Sequence, residues 1–315
     1  MSIFLAKRLL TFLATLWGTS IIVFVVLEVL PGDPALTILG VDAPESAVIA
    51  LTKELGLDRP PHERYFAWIG GLLTGELGNS YTYKVPVVEL IRERLALTIP
   101  LAIIAMILTT VIALGLGVYA AARHNTLGDY GVMGFSQLGI AVPNFWFGIL
   151  LILFFAVQLR WFRSGGFPGW EAGFWPALQA LILPAVALAL VQAAILARVT
   201  RSAVLEVVRE DYVRTARAKG LSRRATLWGH VLRNALIPVI TIMGLQFANL
   251  LAGTIVIENV FAMPGIGRLI FQSISNRDLV VVMNVVVILA AMVVIVNFIV
   301  DLLYAVIDPR VKVHE

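Results

Sequence analysis

Six apolar stretches, each long enough to cross a bilayer as a helix, constrain this chain more than any other feature of its sequence. They lie near Leu9–Leu30, Thr98–Ala122, Val132–Leu159, Trp175–Val199, Ala235–Val256 and Val280–Ile307. About 20 apolar residues suffice to span the hydrocarbon layer. A backbone that meets no water there must satisfy its own hydrogen bonds, which a helix does. The chain is 59% hydrophobic and only 14% charged, where a soluble domain carries about a quarter charged residues. The expectation is an all-α integral membrane protein with six transmembrane helices. The absence of cysteine excludes disulfides, thiol chemistry and Cys-ligated zinc or iron–sulfur sites. His62, His124, His230 and His314 all fall outside the centres of the crossings, which argues against a haem or metal site in the bilayer.

Charge sets the orientation. Lys7-Arg8 precedes the first stretch and places the N-terminus inside. That stretch is too long for the apolar region of a usual cleaved leader, and it reads as a signal anchor. Residues 31–97 carry six basic and nine acidic side chains and belong outside, as an extracytoplasmic segment. Arg123 in the 123–131 link, and Arg310 and Lys312 in the tail, belong inside. The 160–174 loop fits less well, and Arg160 and Arg163 can snorkel to head groups.

The outer segment has its own helical pattern. Pro44-Glu45-Ser46 opens an amphipathic helix through Leu55, closed by Gly56. Tyr65, Phe66, Trp68, Ile69, Leu72 and Leu73 repeat at helical spacing. Gly75–Ser80 reads as a turn, and Val87, Leu90, Ile91 and Leu95 form one face of a last outer helix. This segment reads first as a cap on the membrane surface and second as a surface that contacts substrate.

Residues 200–234 contrast with all of this. From Arg198 to Arg233 there are nine basic side chains against three acids, a net of +6, while the whole chain nets +4. The positive-inside rule places this segment in the cytoplasm. The fourth helix should continue to Val208. Asp211 should then cap a two-turn helix, Tyr212–Lys219, which Gly220 stops by adopting a left-handed conformation. Ser222 should cap the helix leading into the fifth crossing. A short helix bracketed by breaks can protrude, and Ala216, Ala218 and Gly220 keep it slim. The alternative is a solvated basic loop that only sets topology.

The run Tyr212-Val213-Arg214-Thr215-Ala216-Arg217-Ala218-Lys219-Gly220, followed by Leu221, resembles the cytoplasmic docking loop of membrane subunits of ATP-binding-cassette importers. It is similar to the form found in one of the two membrane subunits of dipeptide, oligopeptide and nickel permeases. Arg214 and Thr215 stand where the general motif has an acid and an alanine, and Arg233 stands where it has a proline. Matching runs extend along the chain: Arg8-Leu9-Leu10, Leu30–Pro34, Leu55–Asp58, Gly75–Ser80, Arg233–Pro238, Glu258–Phe261 and Pro264–Gly267. The resemblance implies a single transmembrane domain over 1–315 in a prokaryotic cytoplasmic membrane, with 200–234 as its coupling segment. It implies a second homologous permease subunit, two cytoplasmic ATPases that carry the ATP and Mg, and an extracytoplasmic solute-binding protein. The chain itself then needs no cofactor and is not an enzyme. Asp211, Tyr212, Arg214, Thr215, Ala216, Arg217, Ala218, Lys219, Gly220 and Leu221 become the coupling residues. Peptides, nickel chelates and glutathione-like solutes are the substrates of such relatives.

The residues agree with an energy supply from outside the chain, because no G-x-x-x-x-G-K-[ST] run occurs. Polar residues within the crossings are candidates for the translocation pathway: Gln137, Asn144, Gln192, Gln246, Asn249, Asn284 and Asn297. The same residue types also tie helices together. Glu28, Glu258 and Asp301 are the acids in or near crossings. Pro143, Pro184 and Pro238 should interrupt the third, fourth and fifth crossings. In 262–278, Ile266, Leu269, Ile270 and Ile274 share a face, which suggests a small amphipathic helix acting as an outer gate or docking edge. An ion-coupled carrier is the competing class. It would show internal repeats and midplane charges, and neither is evident.

Overall fold

The computed structural model describes residues 2–29, 34–40 and 42–307. In chain order the elements are α1 (Ser2–Val29), α2 (Pro34–Leu39), α3 (Glu45–Glu54), α4 (Pro61–Thr74), α5 (Val87–Ala122), α6 (Leu127–Ala141) and α7 (Asn144–Leu151). A π-helical stretch, Ile152–Gln158, follows α7. Then come α8 (Phe174–Val208), α9 (Asp211–Ala218), α10 (Arg223–Thr226), a second π-helical stretch at Leu227–Val231, α11 (Leu232–Val260), α12 (Ile266–Ser275) and α13 (Leu279–Ile307). The described residues contain only an isolated antiparallel bridge, Asn79 to Pro86, in place of a sheet.

Among the described residues, five helices are long and apolar enough to cross a membrane, and a bent pair supplies the sixth candidate. That pair is the third crossing, interrupted at Pro143 as the sequence suggests. The run 132–159 is not one rod: α6 and the Asn144–Gln158 helix meet at 101°. Pro143 is the cause. Its ring disfavours the helical conformation for the residue before it, and Val142 is extended at φ −94°, ψ 123°. Pro184 and Pro238 do not interrupt their crossings, for α8 and α11 run through them. The supposed last outer helix is also not separate. It is the first part of α5, whose 36 residues reach about 54 Å at 1.5 Å per residue.

The chain divides into two units, one of Met1–Thr98 with Pro264–Ile295 and one of Ile99–Met263 with Val296–Glu315. In the first, α1 meets α4 through aromatic rings. Phe24 packs edge-on to Tyr65 and stacks on Trp68, and Ser20 Oγ lies 2.9 Å from Tyr65 Oη. The expected helix from Pro44 to Leu55 is α3, with Gly56 at φ +65°. Gly75 closes α4 in the left-handed region at φ +82°. A Cβ on Gly71 would lie 2.4 Å from the Glu76 carbonyl oxygen, so the turn after α4 folds back where only glycine fits. Asp278 then fixes the following turn. Its carboxylate accepts from Ser80 Oγ, from the Thr82 N–H at 3.0 Å and from the Val281 N–H at 3.4 Å, which makes it the N-terminal cap of α13. Nearby, burial pushes the Tyr81 phenol up from its ordinary pKa, and the Asp278 charge adds to the effect. Of the α12 face, Ile266, Leu269 and Ile270 are buried, whereas Ile274 is exposed.

The second unit is built around α8, which buries Ala185, Ala187, Ala189, Ala193, Ala194 and Ala197. Small residues let helices approach where lipid offers no hydrophobic drive. A Cβ on Gly139 of α6 would lie 2.8 Å from Ala194 Cβ, and one on Gly117 of α5 would lie 2.7 Å from the Ala197 carbonyl oxygen. Gly148 of α7 fits against Phe261 and Ile257 in the same way.

Candidate coupling and translocation site

The cytoplasmic-type segment forms stepwise from local signals. At the end of α8, Arg209 and Glu210 close the helix with N–H bonds to Glu206 O and Val207 O, both at 3.1 Å. Glu210 turns extended at ψ 145° and starts α9. The expected cap at Asp211 is therefore corrected. Asp211 is the first helical residue, its side chain makes no cap bond, and its Oδ1 instead lies 3.4 Å from Arg214 Nη1. An acid in the first turn still suits the helix dipole. The other end follows the sequence reading. Gly220 sits at φ +88°, its N–H bonds Arg217 O at 3.0 Å, and the Leu221 N–H bonds Ala216 O at 3.3 Å. This pair of bonds is the Schellman closure. Ser222 Oγ accepts from the Ala225 N–H at 3.2 Å, and α10 passes through the π-helical stretch into α11.

Alternation of side chains gives α9 two faces. Val213 and Ala216 are buried. Val213 belongs to the core that includes Val204, Val231, Ala235 and Val239. Ala216 therefore faces this chain's own interior and is not on the approach surface that its small size suggested. Tyr212, Arg214, Thr215, Arg217, Ala218, Lys219 and Leu221 are exposed. Tyr212 Oη accepts from Asn234 Nδ2 at 2.8 Å, which ties α9 to the start of α11.

One charged cluster had no place in the sequence reading. Arg201 of α8 grips Asp129 of α6 with two parallel bonds, one of them Nη2 to Oδ2 at 2.7 Å. The Asn125 N–H donates to the same carboxylate at 3.0 Å, and His124 Nδ1 lies 3.1 Å from Arg201 Nη2 and 3.3 Å from Asp129 Oδ2. The Asp129 side chain is 1% exposed. An acid in a short link that topology assigns to positive charge was the available signal.

The pathway candidates separate by environment. Gln246 Nε2 donates to the Gln192 carbonyl at 3.0 Å, which links α11 to α8. Gln192 Oε1 and Gln246 Oε1 are buried without a hydrogen-bond partner. Asn144 Nδ2 lies against Gly253, 3.3 Å from where a Cβ would stand. Gln137 and Asn249 are exposed and Asn297 is half-buried. Glu258 is fully buried near the end of α11. Asn284 is fully occupied in the first unit: it accepts from Trp68 Nε1 at 3.1 Å and donates to Leu77 O and Val280 O. These bonds tie α13 to α4 and to the turn that follows it. The side chains of Glu28 and Asp301 lie outside the described residues, as do the Leu30–Asp33 run, Arg310 and Lys312.

A family profile described as "Binding-protein-dependent transport system inner membrane component" matches residues 113–313, and the profile of its N-terminal part matches 1–102. The chain belongs to this family. Among curated relatives, a probable peptide ABC transporter permease protein of Sinorhizobium fredii is 40% identical over 312 residues, 99% of this chain and 100% of the relative. The oligopeptide transport system permease protein AppB of Bacillus subtilis is 39% identical over 315 residues, with 99% and 100% covered. A glutathione transport system permease protein of Salmonella choleraesuis is 39% identical over 309 residues, covering 98% of each. The fold matches that of a chain of the inward-facing MetNI methionine ABC transporter, with a TM-score of 0.58 and 19% identity over 70% of this chain and 96% of that one. This binding-protein-dependent permease is a multi-pass bacterial inner-membrane protein, and its role is that of a permease subunit and not of an enzyme.

Proposed function

We propose that the chain forms half of the translocation pathway of an ATP-driven importer of short peptides, with α9 as the lever through which a cytoplasmic ATPase acts. The observation that carries this reading is the two-faced α9. Its apolar side is seated in the α8–α11 core, and its outer side presents Arg214, Arg217 and Lys219. The partners are a second, homologous permease subunit, two ATPases that hold ATP and Mg, and an external solute-binding protein. Nucleotide occupancy on the ATPases biases the pore between its two orientations. The exposed basic side chains face acidic groups on the ATPase and set orientation and assembly more than raw affinity. The termini lie in the cytoplasm, and the 31–97 segment lies outside.

Peptide as substrate is supported by the names of relatives that align end to end, which include a peptide, an oligopeptide and a di/tripeptide system. Glutathione, itself a small peptide-like thiol, is the second reading, favoured by the relative of that name at similar identity. Gln137, Asn144, Gln192, Gln246, Asn249, Glu258 and Asn284 are the pathway residues of this reading. The unpartnered Gln192 and Gln246 oxygens are acceptors suited to peptide N–H groups.

The test is the assembled complex in proteoliposomes with its binding protein. Arg217→Glu should leave membrane insertion intact and lower substrate-stimulated ATP hydrolysis at least about tenfold, a change of roughly 1.4 kcal/mol in coupling. Gly220→Pro should do the same. Unchanged stimulation in both variants defeats the lever assignment.

A further inference from the structure

The first unit contains a cavity of about 240 Å³ that none of the coupling or pathway residues lines. The first turns of α12 bring Gly265, Arg268, Leu269 and Gln272 to its wall, the start of α5 brings Arg94, and the 80–83 turn brings Tyr83. Two guanidinium groups and no carboxylate stand among the lining residues.

Arg94 is incompletely paired. Its Nε is buried with no hydrogen-bond partner, and its Nη1 reaches only the Pro264 carbonyl at 3.4 Å. A buried donor without an acceptor is costly, and each such group calls for an explanation. A guanidinium is shaped for a carboxylate, which can accept from two of its N–H groups at once. Tyr83 Oη donates to Gln272 Oε1 at 3.1 Å, which fixes that oxygen as the acceptor and leaves the amide nitrogen as a donor. Leu269 adds an apolar wall. The volume falls below the roughly 300–1,000 Å³ of pockets that enclose a drug-sized ligand, so the cavity suits one end of a small molecule.

We propose that this cavity is a carboxylate subsite that takes the free C-terminal carboxylate of a short peptide, with Arg94 and Arg268 as its cationic contacts. The proposal rests on the peptide-importer reading, which supplies the ligand class and places residues 31–97 and α12 on the outer side. There the subsite selects for a free C-terminus before the solute enters the pathway.

The test is equilibrium binding of dialanine to the full-length chain in lipid nanodiscs. Dialanine amide and inorganic phosphate serve as comparison ligands. Saturable dialanine binding is expected, weakened at least about tenfold by amidation of the peptide and by Arg94→Gln or Arg268→Gln. Arg94→Lys, which keeps the charge and loses the fork, should fall between wild type and Arg94→Gln. Equal binding of acid and amide overturns the proposal, as does undiminished binding by both glutamine variants. Competition by phosphate below the dialanine concentration also overturns it, by assigning the cavity to a phosphate head group. If a glutamine variant fails to insert, the acid–amide contrast on the wild-type chain decides. A chain that stimulates its ATPase but ignores dialanine loses only the subsite. A chain that binds dialanine but recruits no ATPase loses the importer reading.

Discussion

Single side chains in this protein do long-range work that short-range patterns do not show. Asp278 accepts bonds from Ser80 and Thr82, nearly 200 residues earlier, and from Val281 beside it. Asp278→Ala leaves the Thr82 and Val281 N–H groups without that acceptor. The expected loss is about 3 kcal/mol, read as a lowered Tm in nanodiscs. Asp278→Asn keeps the shape and should lose less. Gly71 provides a second case with its own control. A methyl group there meets the Glu76 carbonyl oxygen at 2.4 Å, while one on Gly70 meets nothing within 4 Å. Gly71→Ala should destabilise by about 1–3 kcal/mol. Gly70→Ala should be neutral or stabilising by up to about 1 kcal/mol, because alanine is the better helix former. Thermal unfolding of the two variants side by side checks this, and equal effects would contradict the fold-back after α4. The sequence did not reveal what Asp278 and Asp129 hold, since Ser80, Thr82 and Arg201 lie far away along the chain. Gly220 and Ser222 did stand out, because helix closure and capping use only neighbouring residues.

At the scale of the element, α9 depends on its ends. Its eight residues are too few for an isolated helix to persist in water. The Schellman closure and the buried Val213 supply what length cannot. Gly220→Ala should cost about 1 kcal/mol, all of it backbone strain, since nothing lies within 4 Å of the added carbon. The outcome is a frayed α9 in an otherwise intact chain. ATPase stimulation should fall severalfold in the assembled complex while expression and insertion stay at wild-type levels. A loss of insertion would show that α9 supports the fold and is not mainly a lever. The helices also show where periodicity reading stops. Pro143 marked the break in the third apolar run, but nothing in the spacing gave its angle of 101°. Three similar prolines, Pro100, Pro184 and Pro238, lie inside unbroken helices. Whether a proline breaks a helix depends on the packing around it, which sequence spacing does not encode.

For the whole molecule, the decisive quantity is which segments share a side of the membrane. The positive-inside rule proposes an answer: nine basic side chains in 198–233 against six in the longer 31–97 segment favour opposite sides. Glu171 and Trp170 follow Arg160 and Arg163 in the one loop whose charge does not decide its side. The chain has no cysteine, so single cysteines can report orientation without background. Lys53, Glu171 and Lys219 are all exposed and suit replacement. With a membrane-impermeant maleimide on intact cells stripped of their outer barrier, Lys53→Cys and Glu171→Cys should label. Lys219→Cys should label only after the membrane is opened, and assembly with the ATPase should protect it. Labelling of Lys219→Cys from outside would invert the topology and end the coupling assignment. Labelling of Glu171→Cys only from inside would mean that the bent α6–α7 pair re-enters the membrane without crossing, which would leave five crossings and put the two termini on opposite sides.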